Sequence, residues 1–256
     1  MQTDQEIDDR SDSIRPWARS VLTFDIDAHA AAQGDWALRY EQISNGSFRG
    51  ELKLVELEGM FIDGECTNLA LRQRGRLGDG SYGFALSVDP SAEVYFDGRK
   101  VPADAIMCGR SDGVDMVTPP DYELFAVVVH ASLLQPLWER MYQKPLAAWL
   151  ERQLVLQSTP DNARALRKKH RLVLQQAVSL AACVEDRSAL RHLRDDILIE
   201  WIEALPPSVD TSDLDTLARR KRMVDKACEL MLAHPEQPLS ILEVCSLVGA
   251  SRRKLN

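Results

Sequence analysis

The 256-residue chain changes periodicity once, at about His130, and that change limits what it can fold into. Before it, apolar residues come in short alternating or β-rich runs: SVLTFDI, WALRYEQI, FRGELKLVEL, MFIDGEC, YGFALSV, AEVYF, AIMCG and ELFAVVVH. Turn signals such as SNGS, DPS, DGRKVP and RSDG separate them, and GRLGDGSYG reads as a hairpin turn. In FRGELKLVEL, residues Phe48, Leu52, Leu54 and Leu57 largely alternate with polar ones, as on a strand half-facing a core. So many strands at close spacing predict a β-sandwich or small barrel over residues 14–131.

After His130 the spacing is helical. ASLLQPLWERMY and PLAAWLERQLVLQ predict short helices, the second opening with Pro145 at a tolerated first-turn position. From Asp161 to Val184, residues Leu166, His170, Val173, Leu174, Ala177, Leu180, Ala181 and Val184 share one stripe. A partner helix follows in DRSALRHLRDDILIEWIEAL, with Leu190, Leu193, Ile197, Trp201 and Leu205 on one side. The short connection makes the pair an antiparallel hairpin, whose apolar face serves either as a dimer seam or as a lid on the β domain. Residues 132–205 thus read as a helical dimerisation and linker region. The proline-bearing stretch 206–213 reads as a linker, and 214–256 as a separate helical unit. Overall the chain is predicted to be α+β.

Bulk properties narrow the class. No run approaches the ~18–20 apolar residues of a membrane span, and the acidic residues 1–13 make no signal peptide but a disordered tail. The five cysteines are odd in number and widely spaced, which predicts a reducing cytoplasm rather than a disulfide framework. Cys183, Cys228 and Cys245 fall at apolar helical positions and read as buried, inert thiols. Net charge is −8, but residues 217–256 hold eight Lys/Arg against four Asp/Glu, leaving 23 against 35 in the rest. A basic end on an acidic body points to a local polyanion-binding module.

That end reads ILEVCSLVGASRRKLN. Ser240 caps a short helix with Ile241, Val244, Cys245 and Val248 on its buried face. Gly249 supplies the positive φ of a tight turn, and Ser251 caps a following helix opened by Arg252, Arg253 and Lys254. A helix-turn-helix needs this arrangement, since its second helix enters the major groove by its N-terminal residues. An ordinary hairpin with a glycine cap shares the spacing. The segment MVDKACELMLAHPEQPLSILEVCSLVGASRRKLN resembles the start of the DNA-binding region of AraC/XylS-family transcription regulators, with Cys245 in place of the commoner Ala. WALRYEQISNGSFRGELKLVELEGMFIDGECTNLALRQRG, residues 36–75, resembles the subgroup containing the ethanolamine-operon regulator.

The resemblance implies a cupin-like or jelly-roll sensor, a helical dimerisation linker and two helix-turn-helix units. Against that pattern the chain stops about one turn into the first recognition helix, which predicts a truncated reader that binds specific DNA weakly. Ser251, Arg252, Arg253, Lys254 and Asn256 are the candidate DNA-binding residues. Double-stranded DNA, a small-molecule effector, a second copy of the chain and RNA polymerase are the expected partners. For the effector, Trp36, Arg39, Tyr40, Glu65, Asn68 and Arg72 combine aromatic and polar character in the strand-rich half.

The alternative is a cupin-type enzyme that binds a small molecule, and a third reading is a dimerising protein that sequesters longer partners. Cupin metal sites draw several His and a Glu from neighbouring strands. Of His29, His130, His170, His192 and His234 only the first two fall in the β region, and His130 reads as a packed residue at a strand end. No metal, cofactor or catalytic residue is therefore expected.

Overall fold

A computed structural model describes residues 17–34, 36–110, 113–150, 154–180, 186–205, 226–233 and 238–252. Among these described residues, twelve strands form two antiparallel sheets. The larger orders β1 (Ala18–Thr23), β3 (Gly50–Leu57), β4 (Met60–Thr67), β11 (Tyr122–His130), β6 (Ser81–Ser87), β9 (Ala105–Arg110) and β12 (Val155–Gln157). The smaller orders β2 (Ala37–Gln42), β5 (Leu71–Arg76), β10 (Val114–Thr118), β7 (Tyr95–Phe96) and β8 (Arg99–Lys100). Facing each other across a shared cavity, they make a β-sandwich, and the fold is α+β as the periodicity predicts.

β11 shows how the layers are specified. Leu124, Ala126 and Val128 turn to the space between the sheets. Phe125, Val127 and Val129 join a cluster with the helices on the other face. A strand buried on both sides must be apolar at every position, which is why ELFAVVVH lacks alternation. The helices on that outer face are α2 (Ala131–Tyr142), α3 (Leu146–Leu150), α4 (Pro160–Leu180) and α5 (Arg187–Ala204). Residues 226–233 form α6, and Ile241–Val248 form α7. The α4–α5 hairpin spends its apolar stripe on its own β domain: Leu166, Val173, Leu174 and Ala177 pack with Ile62 and Phe125, and Trp201 lies beside them.

Several expectations need correcting. GRLGDGSYG is not a hairpin, because β5 and β6 lie in different sheets and the loop carries the chain between layers. The predicted helix after Pro145 is present over Leu146–Leu150, and Val155–Gln157, predicted to continue it, instead pair with β9, whose edge offers free backbone groups. A helix unread in the sequence, α1 (Ile26–Ala32), starts where the Asp25 carboxylate accepts from the Ala28 amide. His130 ends β11 but is exposed and caps α2, its Nδ1 2.7 Å from Ser132 Oγ. Cys228 is exposed rather than buried, whereas Cys245 is buried and its thiol is pushed up to about 12 by desolvation. Cys183, the tail 1–13, the linker 206–213 and the N-terminal part of the helix after Asp213 lie outside the described residues. No helix among the described residues is long and apolar enough to cross a membrane.

Candidate functional site

On β4 the residues Asp63 and Glu65 are two apart, so both side chains point to one face, the one that looks into the space between the sheets. Ile62 and Gly64 take the other face, against the helices. The carboxylates line a cavity of about 60 Å³ with Gln33 at the end of α1, Tyr40 on β2 and Gln73 on β5. The rest of the lining is largely apolar: Leu124, Ala126 and Val128 on β11 beside β4, Met107 on β9, and Met116 on β10 of the facing sheet. Trp36 lines both this cavity and an outer groove of about 750 Å³ that also includes Trp17 and Phe61.

Helix α1 closes the polar side. His29 reaches inward and places Nε2 2.9 Å from Glu65 Oε1 and Nδ1 2.7 Å from Thr23 Oγ1. A carboxylate can only accept, so Nε2–H donates to Glu65, and the Thr23 hydroxyl, which donates to the Gly50 carbonyl at 3.3 Å, lies against Nδ1. The ring fits only because residue 50 is glycine: a Cβ there would lie 2.5 Å from the imidazole. Gln73 donates to the other oxygen of Glu65 at 2.8 Å, and Gln33 Nε2 donates to Tyr40 Oη at 2.8 Å. Glu65 is thereby paired on both oxygens. Asp63 Oδ1 and Gln33 Oε1, in contrast, are buried without a partner.

The electrostatics follow from that imbalance. Burial, and then the neighbouring Glu65, holds the Asp63 carboxyl well above the usual carboxylate range. Burial and the same acids push the Tyr40 phenol up, so it stays neutral. Beneath the cavity, His170 of α4 donates from Nε2 to the Asp63 carbonyl at 2.9 Å and stacks on Phe125. Its Nδ1 accepts from Trp201 Nε1 of α5 at 3.3 Å.

Of the effector candidates named from sequence, Trp36, Tyr40 and Glu65 come together at the cavity. The other three lie elsewhere. Arg39 is exposed on β2, and Arg72 makes a paired contact to Asp115 at 2.9 and 2.7 Å on the outer surface. Asn68 ties a loop by accepting from the Arg49 amide and donating to the Ser47 carbonyl. Asp63, Gln33, Gln73 and His29 were missed. The signal lay in FIDGEC, where two acids at alternate positions interrupt an otherwise apolar strand.

At the C-terminal end Ser240 caps α7 with a reciprocal bond from Glu243, and Gly249 adopts φ +72°. Leu242, Val244 and Cys245 are buried, so Leu242 joins the inner face, while Ile241 packs half-buried against the same core and Val248 is half-buried. The helix docks on α5: Ser240 Oγ donates to Asp195 Oδ2 at 2.9 Å, and His192 Nε2–H to the Pro238 carbonyl at 3.1 Å. Ser251 is buried, and the Arg252 guanidinium donates to both Glu200 and Glu203, at 2.7–3.2 Å. Arg253, Lys254 and Asn256 lie outside the described residues. Arg252→Ala is expected to loosen α7 by about 1 kcal/mol, given the partial exposure of the cluster. Amide exchange over residues 241–248 should then quicken about fivefold, with β4 and β11 unaffected. Unchanged exchange would mean that the ion cluster does not hold α7.

No protein-family model matches the chain. Among solved structures it is similar to the AraC-like transcriptional activator CuxR, at 14% identity over 93% of this chain and 87% of that one, with a TM-score of 0.47. KdgF from Halomonas sp. is 12% identical over 36% of this chain and 84% of its own, with a TM-score of 0.26. The EutQ protein of Clostridium difficile is 15% identical over 43% and 93%, with a TM-score of 0.22.

Proposed function

We propose that the chain is the sensing part, and the start of the DNA-reading part, of an effector-responsive transcription regulator. The observation that carries this reading is one hydrophobic core running from the cavity's strands to α7. Ile62 and Phe125 belong to the same cluster as Leu174, Trp201, Leu242 and Cys245. A ligand that moved β4 would therefore press on α4 and α5, and α5 is the helix that grips α7 and Arg252. The mechanism is a population shift: the ligand favours one placement of α5 and α7 because it binds that arrangement better. The resemblance of residues 241–256 to a helix-turn-helix start supplies DNA as the output, a second copy as the dimer partner and RNA polymerase as the downstream contact.

The test uses the protein encoded by the reading frame carried to its stop codon. Selection from a randomised duplex pool should enrich one sequence, and binding to it should weaken steeply with salt. Failure to enrich any sequence would sink the reading. Purified protein carrying stoichiometric iron, manganese or zinc would instead favour the cupin enzyme.

A further inference from the structure

We propose that the cavity between the sheets takes a small organic cation carrying several N–H donors. The inference deepens the sensor reading and rests on it only in treating this cavity as the ligand site. Asp63 and Gln33 are 3% and 2% exposed, and each turns an unpartnered oxygen, Oδ1 and Oε1, into the space. Both atoms are acceptors, so the missing partner is a donor. The groups of each packed element set its charge. β4 contributes Asp63 and Glu65, α1 contributes His29, already bonded to Glu65, and β2 and β11 contribute the Tyr40 and Tyr122 phenols. No Lys or Arg is among the described residues lining the cavity. Two carboxylates with no Lys or Arg beside them suit a positive guest, and the apolar side chains of Met107, Met116 and Leu124 receive its hydrocarbon part.

Size narrows the class further. A cavity of about 60 Å³ has the volume of roughly two waters at liquid density, so the first guest to fit has only a few non-hydrogen atoms. Without a guest, Asp63 keeps a proton more readily than an ordinary carboxyl, because burial and Glu65 both disfavour its charge. A bound cation takes the place of that proton. Binding therefore tightens as pH rises through the raised titration range of Asp63 and weakens as pH falls.

Acetamidinium, acetamide and acetate are planar isosteres that differ chiefly in charge, and they make a direct test on this chain. Acetamidinium chloride should raise the melting temperature and shift amide signals on β4. Acetamide should bind at least about tenfold more weakly, and acetate not at all. Asp63→Asn, which keeps the shape and folds without a buried charge, should lose the preference for acetamidinium. The acetamidinium affinity of the unaltered chain should also fall from pH 8 to pH 5.5, although the ligand stays charged throughout. Equal binding of the three probes, no binding by any of them, or an Asp63→Asn protein that retains the preference would overturn the proposal. Acetamidinium that binds without changing exchange in α7 keeps the cation site and removes its sensor role. Regulated DNA binding with no cation preference does the reverse.

Discussion

Replacing Trp201 by alanine should cost about 3–5 kcal/mol of unfolding free energy, a large share of the ~5–15 kcal/mol typical of a domain. The indole is 1% exposed and sits where α5 meets α4 above the larger sheet. It meets the His170 ring edge-on at 5.6 Å and donates its N–H to Nδ1. Truncation opens a void that the sheet cannot collapse to fill, since β4 and β11 are pinned by full antiparallel ladders on both sides. It also leaves a buried imidazole nitrogen without its donor. Trp201→Phe, which keeps most of the volume and loses only the N–H, should cost about 1–2 kcal/mol. Denaturant titration of both variants measures the pair. A cost below about 1 kcal/mol for the alanine form would show that α5 is not docked as described.

The contrast between what the sequence shows and what it hides has a physical source. Strands and helices announce themselves through period, or in β11 through an unbroken apolar run, so β3, β4, β11, α2 and α5 emerge near their observed bounds. α7 does so as well, because Ser240, Glu243 and Gly249 are local cap signals that act within one turn. What fails is whatever depends on the partner across the fold. Val155–Gln157 is apolar enough for either state, and only the free edge of β9 decides for a strand. The short α1 lacks a readable stripe, yet it sets His29, which in turn requires Gly50 from a distant strand.

The site divides along the same line. Tyr40 and Glu65 are recognisable as candidates by type, but Arg39 and Arg72 share that type and face solvent. A one-residue step along a strand reverses direction, and residue type alone does not report the phase. Phase was available on β4, where Asp63 and Glu65 share parity and Ile62, one residue before Asp63, has the opposite one. Two acids on a face opposite Ile62 and Gly64 are either solvated or buried around something. The cover provided by β2, β5 and α1, which only the fold supplies, makes them buried.

Acid should weaken the fold through His170, and the sign follows from its two hydrogen bonds. Nε2–H donates to the Asp63 carbonyl, so Nδ1 must be the bare nitrogen that receives the Trp201 N–H. A second proton on Nδ1 would confront that donor in a fully buried place, and desolvation lowers the imidazole from 6.5 to about 4. The unfolded chain protonates near 6.5, so this stability is complete above that pH and is lost progressively as pH falls from 6.5 towards 4. The full loss is about 3 kcal/mol, of which about 2 kcal/mol should be gone by pH 5. Asp63 works in the opposite sense, because its raised carboxyl gains relative to the unfolded chain as pH falls, and it offsets part of the loss. Comparison with His170→Gln separates the two. The variant keeps an N–H for the Asp63 carbonyl, gives up the stacking on Phe125 and cannot titrate, so it should be less stable at pH 7.5. Its unfolding free energy should nonetheless change less between pH 7.5 and pH 5, by about 2 kcal/mol, in denaturant titrations at each pH. Parallel curves for the two proteins would assign the acid sensitivity to another group and break the link drawn here between the cavity strand and α5.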